Sequence, residues 1–294
     1  MRIRTAVLTL GLAALTLASA TPASAQLKLP RISPNATISQ TLGVTDITIT
    51  YSRPGVKGRA VWGTLVPNGQ PWRAGANEAT TLTTTSEITF GGQKLAAGTY
   101  ALIAIPGETE WTIALNTDKE LWGAYGYKAE KNVLTVKVKP EAAPMEEWLS
   151  YSFDGLMPNG TTAMPNSGNL VLRWEKMRVA VPISVDVNAA VLASCRDAIA
   201  KAKPDDFRTR VQAARWCMDN DQALAEARVW MEQAVAIQKN YSTLGLQARW
   251  LMKEGKKKEA IAAGEAAVAA GKASPDKPDT SALEKLVAEW KTAK

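Results

Sequence analysis

The chain has 294 residues, with 35 Lys and Arg against 28 Asp and Glu, and a formal net charge of +7 at pH 7. It contains no histidine, which excludes Ser-His-Asp and Cys-His catalysis and every metal site built on imidazole. The length predicts about two domains, and the mildly basic charge slightly favours acidic partners.

The first 25 residues are typical of a cleaved secretory signal peptide. Arg2 and Arg4 give a positive start, residues 6–18 form an uncharged and mostly apolar run, and residues 23–25 supply an A-x-A cleavage site. This run is too short for a membrane span, although an uncleaved anchor is the alternative. We expect a periplasmic or secreted protein that begins near Gln26, with its formal charge lowered to +5 by the loss of two arginines. Nucleic acid and a membrane span are not expected for the mature chain.

From about residue 36 to 185 the apolar residues recur with a period of two, as in half-buried strands. Turn residues separate the runs, and Gly91-Gly92 predicts a tight hairpin. This spacing is typical of an antiparallel sandwich or barrel. We predict an all-β antiparallel sandwich domain over residues 30–186, and we expect most of its six tryptophans in the core. The predicted strands are 47–51, 86–90, 93–95, 99–105, 110–116, 132–138, 148–153, 169–175 and 177–185.

After Asp186 the period changes to 3.6, and short segments repeat. Residues 214–218 (ARWCM) return as residues 248–252 (ARWLM), 34 positions later. Helix pairs that repeat at about this distance resemble tetratricopeptide repeats. We predict an all-α tetratricopeptide-like domain over residues 187–294, with a plain helical bundle as the alternative. The predicted helices are 187–202, a pair over 207–238, a second pair over 242–271, and a capping helix at 280–292.

The two cysteines, Cys195 and Cys217, each lie eleven residues from Asp206. Antiparallel helices joined near Asp206 would bring them level, and an oxidising compartment then favours a disulfide. The alternative is a pair of small buried thiols.

Cations, glycines and tryptophans crowd residues 51–80, which begin with YSRPGVKGR. Arginine presents paired donors that suit a carboxylate or phosphate, and tryptophan offers a stacking face for a sugar. In the structural alternative, Arg73 pairs with Glu78 and Arg53 fastens the loop to the sandwich. The candidate ligand-binding residues are Arg53, Lys57, Arg59, Trp62, Trp72, Arg73, Asn77 and Glu78.

The same stretch resembles a known bacterial family. The blocks that carry the resemblance are YSRPGVKGR, VWGTLVPNGQPWRAGANEAT, LAAGTYALIAIPG, EWTIALN and LWGAYGY. In their order and spacing they are similar to domain of unknown function 2911, over about residues 34–185. The resemblance implies a secreted protein with a β-sandwich core and often a helical tail. It implies no activity and no catalytic residue.

Three functions fit these observations. The first, which we favour, is a binding module that holds an acidic or glycan ligand of the cell envelope at residues 53–78 and a protein partner at the helical repeats. The second is a histidine-free envelope hydrolase that uses Glu78 with Arg73. The third is a purely structural scaffold. No cofactor is predicted. No metal site is predicted either, because residues 116–120 resemble the start of a calcium loop but lack its glycine and distal glutamate.

Overall fold

The computed structural model describes residues 29–158 and 164–292. The predicted signal peptide therefore lies outside the described residues. In the segment Met1–Ile32, residues 29–32 are exposed and form neither helix nor strand. The chain from Ser33 onward forms one compact unit.

In the described residues, ten strands form two antiparallel sheets. The six-stranded sheet has the order β1-β2-β3-β6-β7-β8, and the four-stranded sheet has the order β5-β4-β10-β9. Every strand pair in the described chain is antiparallel. The strands are β1 Asn35–Leu42, β2 Thr45–Ser52, β3 Thr81–Thr84, β4 Ile88–Phe90, β5 Gln93–Leu95, β6 Gly98–Ile105, β7 Trp111–Asn116, β8 Asn132–Val138, β9 Glu141–Met157 and β10 Ser167–Ser184.

The two sheets share one hydrophobic core. Alternation in β2 buries Ile47 and Ile49 and leaves the threonines between them facing outward or half-buried. Residues of the second sheet, such as Leu149 and Leu172, belong to the same buried cluster. Two sheets closed over a common core define a β-sandwich, so the predicted fold class is confirmed.

Glycine fixes the predicted hairpin between β4 and β5. Gly91 and Gly92 have φ angles of 56° and 82°, as a two-residue turn with two positive φ values requires. A Cβ atom on Gly91 would lie 2.4 Å from Cγ1 of Val136. Both the backbone and the neighbouring strand therefore require glycine at position 91.

The last two predicted strands, 169–175 and 177–185, are one strand. The pairing of β10 with β9 shifts register on both sides of Glu175, whose φ is 56°. A β-bulge bends a strand without ending it. The predicted break between residues 175 and 177 therefore marks a bulge.

The prediction of core tryptophans is confirmed for four of the six in the sandwich. Trp111 and Trp174 are each 1% exposed. Trp62 and Trp72 are partly buried and pack against the same core. The other two, Trp122 and Trp148, are exposed at 62% and 37%.

Within residues 187–292, six helices follow the sandwich, close to their predicted bounds. Helix α2 packs mainly against α3, and α4 mainly against α5, as the two predicted pairs require. The repeat also holds in the packing, because Ala214 and its equivalent Ala248 are both fully buried. The pair Glu226-Ala227 returns as Glu259-Ala260, 33 residues later, and both of these alanines are fully buried too. The helices are α1 Val187–Lys201, α2 Phe207–Asp219, α3 Leu224–Ile237, α4 Tyr241–Lys253, α5 Lys257–Ala273 and α6 Ser281–Thr292.

The predicted disulfide is absent, because Cys195 and Cys217 are both free thiols. The helices do bring them into one cluster, where Cys217 is fully buried and Cys195 packs against it from a partly buried position. Free cysteine packs there as a small apolar residue. Burial raises the pKa of the Cys217 thiol to about 11, which keeps it protonated at neutral pH.

Two residues lie between the end of β10 and the start of helix α1, so almost no linker separates the helices from the sandwich. Asp186 caps α1 by accepting a hydrogen bond from the Ala189 amide at 3.0 Å. Val187 is buried, and a Cβ atom on Gly43 would lie 2.5 Å from its Cγ2. Close contact at this junction was expected from the missing linker, while a domain boundary at residue 186 stays a prediction. None of the helices in the described ranges is both long and apolar enough to cross a membrane.

Candidate functional site

The candidate loop, residues 53–80, connects β2 to β3 and is held on the six-stranded sheet by backbone hydrogen bonds. Trp72 and Ala104 exchange two N–H···O bonds of 2.8 Å. The Ala76 amide donates to the carbonyl of Ser52 at 3.2 Å. Ala74 and Asn77 hold positive φ angles of 52° and 57°, which persist only where the surroundings determine the backbone. The loop is therefore a defined platform for its side chains.

Two of the four cations in the loop fasten it in place. The Nε of Arg53 donates to the carbonyl of Leu149 at 2.8 Å, which ties the loop to β9. The Nε of Arg59 donates to the carbonyl of Val56 at 3.0 Å, and another of its nitrogens donates to Gly55. Both guanidinium groups donate to backbone carbonyls, which the structural alternative predicted for Arg53.

Lys57 and Asn77 also make local contacts. The backbone amide of Lys57 donates to a carboxylate oxygen of Glu147 at 2.9 Å, and its ammonium lies 5.6 Å from the Trp148 ring centroid. The side-chain amide of Asn77 donates to the carbonyl of Ser33 at 3.1 Å. Neither side chain lines the cleft described below.

The two tryptophans of the loop join a four-indole cluster. The Trp62 ring centroid lies 5.9 Å from that of Trp72, 4.9 Å from that of Trp111 and 5.7 Å from that of Trp174. Trp72 stacks on Trp174 at 5.8 Å, and its Nε1 donates to the carbonyl of Gly75 at 3.1 Å. These rings pack against each other; Trp72 also borders the cleft described below, and Trp62 does not.

Arg73 differs from the other cations of the loop. Its Nε is buried and has no hydrogen-bond partner. Within residues 29–158 and 164–292 the guanidinium forms no ion pair, so the predicted pair with Glu78 is wrong. Partial burial lowers the pKa of Arg73, and the nearby Tyr125 offsets part of that effect. A buried donor without a partner is costly and calls for an explanation.

Arg73 lies in the wall of an open cleft of about 310 Å³. The wall is mostly apolar, with one amide and one phenol, and Arg73 is the sole charged residue among these lining residues, all of which the structure describes. Glu78 is exposed and pairs with Trp122 through the backbone, outside this wall. The lining residues are Leu65, Val66, Pro67, Gln70, Pro71, Trp72, Arg73, Ala124 and Tyr125.

A second loop, between β7 and β8, closes one side of the cleft and was missed by the sequence reasoning about the site. Gly123 is held by a hydrogen bond of 3.2 Å from its amide to the carbonyl of Asn77. A Cβ atom there would lie 2.9 Å from Nη1 of Arg73 and 3.0 Å from Cδ2 of Tyr125. The signal was present in the block LWGAYGY, where glycines alternate with aromatic residues.

Metal ligands do not gather anywhere in the described chain, which contains no group of three or more Cys, Asp or Glu arranged to hold an ion. At the suspected calcium loop, the side chain of Asn116 instead bonds to Lys128 and Asn132 at 2.9 and 2.8 Å. Asp118 forms an ion pair of 2.9 Å with Lys131.

A shallow groove of about 390 Å³ lies between α5 and α6, in the region where a protein partner was predicted. Its floor contains Val268 and Val287. Ion pairs cross it at both sides, from Lys272 to Glu284 at 3.0 Å and from Lys291 to Glu265 at 2.6 Å. The partner itself stays a prediction.

Of three comparisons with known proteins, one gives a match. The family model described as "Protein of unknown function (DUF2911)" matches residues 33–183, slightly more than half of the chain. The chain therefore belongs to this family, as the sequence blocks indicated. A search of the curated proteins found no match, and neither did a search of the solved structures.

Proposed function

We propose that this protein is a secreted or periplasmic binding protein that holds a small anionic ligand at the Arg73 cleft. One observation carries the proposal: a guanidinium whose Nε is buried without a partner lines an open cleft. Arginine matches the geometry of a carboxylate or phosphate, and an anion in the cleft would pair with this guanidinium, which has no ion-pair partner among the described residues. The signal-like N-terminus and the basic charge support the compartment and the sign of the ligand.

The hydrolase alternative receives less support. Its acid, Glu78, lies outside the cleft wall, and no carboxylate occurs among the described lining residues. General acid–base catalysis needs such a group within hydrogen-bond reach of the substrate. The scaffold alternative explains Arg53 and Arg59, whose donors are satisfied, but it leaves Arg73 without a role.

The test is a thermal-unfolding titration of the purified protein with gluconate, glucuronate and inorganic phosphate. A ligand that binds the folded state raises the free energy of unfolding, by about 2.7 kcal/mol at 100 times its Kd, and the unfolding midpoint rises with ligand concentration. We expect at least one anion to do so for the wild type and not for Arg73→Met. Arg59→Met is the matched control, because it removes the same charge from the same loop outside the cleft. The proposal fails if no anion shifts the wild type, or if Arg73→Met and the wild type respond alike.

A further inference from the structure

Tyr125 borders the cleft with its ring facing solvent. The side chain is 82% exposed, on the loop between β7 and β8, and it lines the same cleft as Arg73. Its neighbour Trp122 is also mostly exposed. An exposed aromatic ring has an apolar face and a polar end, which suits contact with a ligand that has both kinds of surface.

The ring and the guanidinium are close enough for one small ligand to touch both. Both approach Gly123, whose Cβ position would lie 2.9 Å from Nη1 of Arg73 and 3.0 Å and 3.3 Å from Cδ2 and Cε2 of Tyr125. Gly123 has a φ of 74°, a conformation that glycine adopts without strain. The absence of a side chain at position 123 therefore lets charge and ring lie side by side.

The single positive charge of the cleft wall suits a ligand that carries one negative charge. Arg73 is the single ionised group among the nine lining residues, every one of them in the described part of the chain. A phosphate monoester carries nearly two charges at neutral pH and is normally held by several donors or cations. A carboxylate carries one charge and pairs with a single arginine through two parallel hydrogen bonds.

The rest of the wall suits a ring with apolar faces and a polar rim. Pro67 and Pro71 are rigid and apolar, while Gln70 supplies an amide that both donates and accepts. A cleft of about 310 Å³ is at the small end of ligand sites. A pyranose ring presents C–H groups on its faces and hydroxyl groups on its rim, which are complementary to this wall.

We propose that the ligand is a sugar acid, with its carboxylate on Arg73 and one face of its pyranose ring on Tyr125. This inference rests on the proposed anion-binding function and names the class of anion. The polar residue Gln70 would then meet ring hydroxyls. Trp72 contributes the apolar floor beneath them.

The test compares three probes by calorimetric titration. Glucuronate has the ring and the carboxylate, gluconate has the carboxylate without the ring, and glucose has the ring without the carboxylate. We expect glucuronate to bind at least about fivefold more tightly than gluconate, as contact with an aromatic face typically provides, and glucose to bind least. Tyr125→Ala should lower the affinity for glucuronate to that for gluconate and leave gluconate unchanged. Tyr125→Phe should keep the preference, because it retains the ring.

Each contrary result has a distinct meaning. Equal affinity for glucuronate and gluconate, or an equal loss of both in Tyr125→Ala, overturns the sugar-acid inference and leaves the anion site standing. Tighter binding of glucose 6-phosphate than of glucuronate overturns the assignment of a carboxylate. If neither carboxylate binds the wild type, the proposed function fails together with the inference.

Discussion

Replacing Arg73 with methionine should stabilise the protein in the absence of ligand. Methionine keeps most of the length and apolar contact of the side chain and removes the Nε–H group, which is buried without a partner. An unsatisfied buried donor costs about 1–3 kcal/mol. The guanidinium is only partly buried, so we take the lower end, a gain of about 1 kcal/mol. For a protein of this size, that gain raises the unfolding midpoint by about 2–4 °C.

The same substitution at Arg53 is the matched comparison and should have the opposite sign. Arg53 donates a hydrogen bond of 2.8 Å to the carbonyl of Leu149, and hydrogen bonds of charged groups contribute about 1.5–3 kcal/mol. We expect Arg53→Met to lower the free energy of unfolding by about 2 kcal/mol. Calorimetric or dye-based thermal unfolding of both variants, without added anions, measures the contrast. If Arg73→Met loses as much stability as Arg53→Met, then Arg73 is a structural fastener and our reading of the cleft is wrong.

Three further predictions concern other parts of the chain. Burial raises the pKa of Tyr151, so the stability that this side chain contributes should be present below the ordinary tyrosine pKa of about 10 and decline above it. Urea unfolding of the wild type and Tyr151→Phe should show the wild type about 1 kcal/mol more stable at pH 7, with a smaller difference at about pH 10.5. A difference that grows with pH would contradict this prediction. Gly123→Ala should cost more than about 1–2 kcal/mol, because its Cβ atom adds a clash to the strain of a positive φ, and it should weaken glucuronate binding by displacing Arg73. Gly126→Ala has a similar φ of 78° but its nearest contact is at 3.9 Å, so it should cost about 1–2 kcal/mol and leave the affinity unchanged. The thiol of Cys217 should resist Ellman's reagent at pH 8 in the native protein and react in guanidinium without prior reduction; a requirement for reductant would reveal a disulfide.

Hydrophobic periodicity predicted the fold well because burial alternates with the geometry of each element. The period of two located β6, β7 and β8, and the 34-residue repeat located the helix pairs. Pattern reasoning failed where the backbone departed from regular geometry, as at Glu175, where a bulge divided one strand into two predicted strands. It also gave no sign of β3, whose four residues are mostly threonine.

The candidate site was only partly predictable. Residue type drew attention to Arg73 and Arg53 alike, but type alone could not separate them, because the difference is whether a carbonyl lies within reach. Tyr125 borders the cleft because its loop packs beside Arg73, which lies about 50 residues earlier in the chain. Such contacts are set by the tertiary fold, and a single sequence does not encode them in a local pattern.

The indole cluster gives the protein a built-in optical reporter of its cleft. Trp72 lines the cleft and stacks on Trp174, and the ring centroids of Trp62 and Trp111 lie within 6.5 Å of its own. Four of the ten tryptophans in the chain are therefore close enough for excitation energy to pass between their rings. Excitation absorbed by any of the four can pass to Trp72 before emission. A charged ligand arriving beside Arg73 would therefore change the intrinsic fluorescence of the whole array, and occupancy can be followed without a label.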